Sequence, residues 1–141
     1  TLVVVKAMPR GFGYAGECGD EALNGLPERV ERAARAYGRD FSDSLALALS
    51  EILTNIRDHA YSGLPGRIEL DARFRRDGVF VKLRDWGSAF DPAKTRPPAL
   101  GELVESGFGL YLARESLDVL GYEKGANGAN EWRLEKYRRK D

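Results

Sequence analysis

The chain has 141 residues, 43% hydrophobic and 31% charged, with 22 basic residues balancing 22 acidic ones and one cysteine, Cys18. That length supports a single domain around one core and is too short for two, and the composition excludes disorder. Zero net charge gives no general field for nucleic acid or an anionic membrane, one cysteine excludes an intrachain disulfide, and no apolar run reaches membrane-spanning or signal-peptide length, so a reducing, cytoplasmic setting is expected.

TLVVVKA reads as a strand. Because Thr1 leads straight into it, a processed product or a piece of a longer chain is expected. The stretch MPRGFGYAGECGDEALNG, from Met8 to Gly25, carries five glycines and reads as a loop. Apolar residues at Leu26, Val30, Ala33, Ala34 and Tyr37 predict an amphipathic helix from Leu26 to Tyr37, with Pro27 in its first turn. Asp43 or Ser44 can cap a second helix that runs to about Ala60 and stops before the SGLPG turn. In RIELDARF, Ile68, Leu70, Ala72 and Phe74 alternate with polar residues; the RRDG turn and VFVKLRDW complete a hairpin with one face on a core. DPAKTRPPALGELVESG is long, proline-bearing and weakly patterned, and reads as a mobile loop. A helix from Gly109 to Leu120 and a closing strand, ANEWRLEKY, follow. The elements predict an α+β fold, a two-layer α/β sandwich with helices packed on one face of a mixed, largely antiparallel sheet.

Within the second helix, SEILTNIRDHAY carries two distinct faces. At 100° per residue, Leu45, Leu49, Ile52, Leu53, Ile56 and Ala60 share one arc, while Glu51, Asn55, Asp58 and His59 share another. Taken alone, the second arc equally fits the solvated side of an amphipathic helix. Asparagine is a poor helix former, so its place mid-helix points to another use.

DWGSAFDP, Asp85 to Pro92, stands where the VFVKLR strand ends. An aspartate two residues before a glycine can be only a turn; alternatively, the carboxylate accepts from an exocyclic amine while Gly87 lets a flat ring lie on the backbone, a pairing that suits adenine. SGFGLYLARE, Ser106 to Glu115, opens a helix with Gly107 and Gly109, where free amides face an anion. A lone GxG is weak. It lacks the Lys-Ser/Thr of a phosphate-binding Walker loop, and Leu112 breaks the dinucleotide GxGxxG pattern. GANGANEWRLEK, read by itself, is a glycine-rich connection into the last strand.

In order and spacing these four pieces resemble the GHKL-type ATPase domain, the Bergerat ATP-binding fold, and within it most closely the anti-sigma-factor serine/threonine kinases. The resemblance runs from about Leu26 to Lys136. SEILTNIRDHAY stands at the N box, DWGSAFDP at the first glycine box, SGFGLYLAR at the second, and GANEWRLEK at the terminal element. The resemblance implies ATP and Mg²⁺ as cofactors. Asn55 would place its amide oxygen on Mg²⁺, Asp85 would take the adenine amine, Gly87 would make room for the ring, and Gly107, Gly109 and Leu110 would line the triphosphate. Glu51 would be the general base toward a substrate hydroxyl. His59 would brace the helix; Asp58 has no assigned role.

Three departures from the family pattern stand out. Ala89 replaces a second glycine of the first box, the expected lid from Asp91 to Ser106 offers only Lys94 and Arg96 as phosphate clamps, and the Met8 to Gly25 segment is long. The implied partners are a STAS-domain antagonist as substrate, a sigma factor, and a second copy of the chain. Three reaction classes compete: a protein kinase, an ATP-dependent binding module that phosphorylates nothing, and the catalytic domain of a sensor histidine kinase. Against the last, the only histidine, His59, sits inside the expected ATP site. Glu51 favours the kinase over the binding module.

Overall fold

The structure, a computed structural model, describes residues 4–8, 10–90 and 108–139. The stretch expected to be a lid, with Lys94, Arg96 and Gly107, lies outside the described residues. Among the described residues six strands, β1 (Val4–Met8), β2 (Gly11–Glu17), β3 (Arg67–Arg75), β4 (Gly78–Asp85), β5 (Val119–Lys124) and β6 (Asn130–Tyr137), form one sheet in the order β1-β2-β3-β4-β6-β5. Helices α1 (Asp20–Ala34), α2 (Arg39–Asn55) and α3 (Phe108–Ser116) complete the α+β sandwich. Every pairing among the described strands is antiparallel, in keeping with the expected mixed, largely antiparallel sheet.

Alternation decides which face of the sheet is covered. Ile68, Leu70 and Ala72 of β3, Val79, Val81 and Leu83 of β4, and Trp132 and Leu134 of β6 are buried. The expected core arc holds: Leu45, Leu49, Ile52 and Leu53 of α2 and Ile56 just beyond it are fully buried, and Ala60 is partly buried against the core. Each such side chain contributes about 1.5–3 kcal/mol, so packing on the sheet, rather than intrinsic propensity, keeps α2 helical.

Four expectations are corrected. The glycine-rich segment is not a loop: Gly11–Glu17 is a strand, with Phe12 and Tyr14 buried on the core side. Gly11 serves close approach, since a Cβ there would stand 2.1 Å from the carbonyl oxygen of Ala72 on β3. Helix α1 starts at Asp20, six residues early, and Pro27 lies inside it. The buried stripe Ala22, Leu26, Val30, Ala34 has a strict four-residue spacing, and Asp20 and Glu21 suit the positive end of the helix.

Gly38, not Asp43 or Ser44, precedes α2. Its φ of +112° is open to glycine, and its carbonyl accepts the amide of Ser42 at 3.0 Å. Finally, α3 stops at Ser116, and residues expected to continue it form β5. Ser116 Oγ turns back to the Leu112 carbonyl at 2.8 Å, and Lys136 Nζ donates to the Ser116 carbonyl at 2.7 Å, which satisfies the helix end. Leu120 and Tyr122 then pair with Leu134 and Trp132 of β6.

Candidate functional site

The chain just beyond α2 meets the segment after β4, the first turn of α3 meets α2, and the end of β4 pairs with the start of β6. After Asn55 the helix widens into one π turn, Ile56–Ala60, closed by the Tyr61 amide on the Ile56 carbonyl at 3.0 Å. The extra residue interrupts the four-residue stacking of Glu51, Asn55 and His59. Glu51 and Asn55 are half-buried, whereas Asp58 and His59 are exposed. The same turn aims the Ala60 carbonyl at the Ser88 amide, 2.8 Å away, and so ties α2 to the segment after β4.

Asp85 is 2% exposed and its carboxylate is held from three sides. Oδ1 accepts from the Gly87 amide at 3.0 Å and from Asn130 Nδ2 at 2.8 Å, and Oδ2 accepts from Trp132 Nε1 at 3.3 Å. Asn130 is itself fully buried. Its Nδ2 also donates to the Gly87 carbonyl at 3.0 Å, and its Oδ1 accepts from the Tyr122 hydroxyl at 3.0 Å. A carboxylate has about four acceptor positions. With three filled from within, what it can still offer is an acceptor, which selects a donor such as an exocyclic amine.

Gly87 lies against the π turn: a Cβ there would be 2.3 Å from the Ala60 carbonyl oxygen. Tyr61 braces the other side. Its hydroxyl accepts the Trp86 amide at 2.8 Å and donates to the Arg67 carbonyl at 2.5 Å, and Gly66 leaves room for its ring. Burial pushes the Tyr61 and Tyr122 hydroxyls above their ordinary range.

Helix α3 brings its first turn to α2. A Cβ on Gly109 would stand 2.1 Å from Glu51 Oε2, so the missing side chain is what lets that carboxylate rest there. Leu110 is 5% exposed and belongs to the core, so the backbone amide is what it can offer a ligand. The structure thus sets Gly109 against Glu51 of α2, and Gly87 against Ala60 of the π turn that follows α2, with Asp85 tied to Gly87 and Asn130. Asn130, Trp132 and Tyr61 lie in segments singled out in the sequence but were given no role there, and Tyr122 lies outside those segments.

Among the described residues, no three of His, Cys, Asp and Glu cluster as a metal cage. The donor set that remains, the Asn55 amide oxygen one helical turn after Glu51, suits Mg²⁺ held mainly by phosphate and water oxygens. The opposite face of the sheet has a different character. Two concavities of about 330 and 360 Å³ there are lined by charged side chains such as Asp71, Lys82 and Arg84. The Arg84–Glu131 and Arg73–Asp71 pairs on that face, at 3.2 and 3.3 Å, are solvent-accessible and worth about 0–1 kcal/mol each. Neither concavity includes Asp85 or Glu51.

Residues 21–136 match the model of the histidine kinase-like ATPase domain. The chain is similar to the serine/threonine-protein kinase BtrW of Bordetella bronchiseptica, 34% identical over 86 residues that span 57% of this chain and 61% of that protein. It is also similar to the serine-protein kinase RsbW of Oceanobacillus iheyensis, 27% identical over 123 residues, 81% of this chain and 72% of that protein. The match thus covers less than two thirds of the first relative's length.

Proposed function

Because this chain belongs to the histidine kinase-like ATPase domain family, we propose that it is an ATP-dependent protein kinase of the anti-sigma-factor type. It transfers the γ-phosphoryl group to a serine or threonine of a STAS-domain antagonist, and it sequesters a sigma factor in a partner-switching system. The names of the two relatives, a serine/threonine-protein kinase and a serine-protein kinase, support a hydroxyl acceptor.

The observation that carries transfer, as opposed to binding alone, is the position of Glu51. It is half-buried on α2, with its carboxylate against the first turn of α3. Amides at a helix start favour phosphate oxygens, so a carboxylate beside that turn lies where an incoming hydroxyl must lose its proton. Asp85 holds the adenine amine, Gly87 admits the ring, and Gly109 keeps the backbone close to the triphosphate. Asn55 would hold Mg²⁺, which supplies charge neutralisation on the phosphates. Glu51 then accepts the hydroxyl proton as the new oxygen–phosphorus bond forms and the bond to the ADP oxygen breaks.

The test is incubation with labelled ATP, Mg²⁺ and candidate STAS-domain proteins, followed by mapping of the label. Phosphoserine or phosphothreonine on the partner is the expected result. Phosphohistidine would replace the reading with a sensor histidine kinase domain, and retained sigma-factor binding without label would replace it with a binding module.

A further inference from the structure

Tyr122 stands on β5, between the second glycine box and the terminal element and outside all four motifs, yet its hydroxyl is built into the base site. It donates to Asn130 Oδ1 at 3.0 Å and accepts the Phe90 amide at 2.8 Å. Its ring is fixed independently, packed on Trp132 at 4.6 Å and on Phe90 at 5.5 Å between centroids. Asn130, with no exposed surface, has two ends of opposite polarity. The amide end faces two acceptors, Asp85 Oδ1 and the Gly87 carbonyl. The oxygen end faces the one donor described for it, the Tyr122 hydroxyl.

We infer that Tyr122 is a positioning residue for base selection, acting through Asn130 to hold Asp85 as an acceptor toward the nucleotide base. The inference rests on the reading of Asp85 as the adenine contact. Without the hydroxyl, the Asn130 oxygen is buried with no donor among the described residues, a condition that folded proteins avoid. Either the amide reorients, which turns its oxygen toward a carboxylate and the Gly87 carbonyl, or it shifts to find water. Both outcomes release the two restraints on Asp85 Oδ1 and Gly87. A base that donates an amine loses its fixed acceptor, whereas a base with a 6-oxo group has nothing to lose there. The phosphate contacts, built on other elements, are common to both nucleotides.

The experiment measures ATP and ITP affinity by calorimetry for the wild type, Tyr122→Phe, Asn130→Ala and the double variant. Tyr122→Phe keeps the ring packing and is expected to weaken ATP about tenfold, consistent with one unsatisfied buried polar group, and to leave ITP within about twofold. In the Asn130→Ala background the same change should have no further effect on ATP, because the pair acts as one unit. Equal weakening of both nucleotides, unchanged ATP affinity, or full additivity in the double variant would overturn the inference while leaving adenine recognition by Asp85 in place. A wild-type protein that binds ITP as tightly as ATP would instead remove the adenine contact itself, and this inference with it.

Discussion

The carboxylate of Glu51 occupies the space that a side chain on Gly109 would need, with only 2.1 Å between Oε2 and a Cβ built at position 109. The obstacle is the far end of a flexible side chain, so Gly109→Ala is expected to move the carboxylate and leave the backbones of α2 and α3 in place. Alanine is also the better helix former by about 1 kcal/mol. Thermal melting of Gly109→Ala should therefore be unchanged or slightly raised. Phosphoryl transfer should fall by about 10 to 10²-fold, the scale of an ångström-level misplacement, and by more than ATP affinity falls. Parallel melts, nucleotide titrations and single-turnover assays check this; an equal loss of affinity and transfer would mean that the glycine serves phosphate approach alone.

Gly87→Ala should behave in the opposite way. Its Cβ would stand 2.3 Å from the Ala60 carbonyl oxygen and 2.6 Å from the carbonyl carbon, and a backbone cannot rotate aside as a side chain does. We expect a destabilisation of about 1–3 kcal/mol in denaturant titration, typical of overpacking, together with loss of ATP binding. An unchanged unfolding midpoint would show that the contact between β4 and the π turn relaxes freely.

The contrast between those two glycines was not legible in the sequence, where both read simply as room for a ligand. What was legible followed local periodicity: the core arc of α2, the β3–β4 hairpin, and the placing of Glu51, Asn55 and Asp85 on the elements that meet at the site. What was missed depended on partners distant in sequence. Glycines in GFGYAGE signalled a loop, but the alternation of Phe12 and Tyr14 prevails once β3 covers the backbone. The short run of β5 is ambiguous alone and becomes a strand through its pairing with β6. Asn130 and Tyr122 enter the site through register, since β6 sets Asn130 opposite Asp85 and Trp132 opposite Tyr122.

Asp85→Asn is expected to cost both binding and stability. An amide in place of the carboxylate turns one donor toward Asn130 Nδ2, the Gly87 amide or Trp132 Nε1, all of which are themselves donors to Asp85. A buried donor facing a donor costs about 1–3 kcal/mol. ATP titration should show at least about a tenfold loss, and chemical denaturation a lower midpoint. Wild-type affinity in this variant would exclude Asp85 as the base contact.

Cys18 predicts an alkaline limit on stability. The thiol is fully buried, with Sγ 3.5 Å from the Leu53 carbonyl, and burial pushes its pKa from 9.0 up to about 11, against a smaller opposing pull from Arg57. The folded protein thus holds the proton more tightly than the unfolded chain. The stabilisation is complete below pH 9.0 and is lost as pH rises toward about 11, amounting to about 2–3 kcal/mol over that window. Burial also raises Tyr14 and Tyr61 above their usual 10.0, so the thiol dominates in the lower half of that window. Unfolding free energies measured from pH 8 to 11 should decline for the wild type and decline less steeply for Cys18→Ala; identical slopes would contradict the assignment.

Glu51→Gln tests the account most directly, because it separates a kinase from a nucleotide-binding module with the same fold. Glutamine keeps the size and polarity of the side chain beside Gly109 but cannot take a proton. General-base catalysis contributes about 10² to 10⁴-fold, and a loose phosphoryl-transfer transition state places the effect toward the lower end. The measurement is the single-turnover rate of phosphoryl transfer from ATP to the serine or threonine of a STAS-domain partner, with ATP affinity determined on the same preparation. The account predicts a rate lowered by at least roughly 10²-fold with ATP affinity changed by less than about threefold. A Glu51→Gln protein that transfers phosphate at the wild-type rate would contradict it.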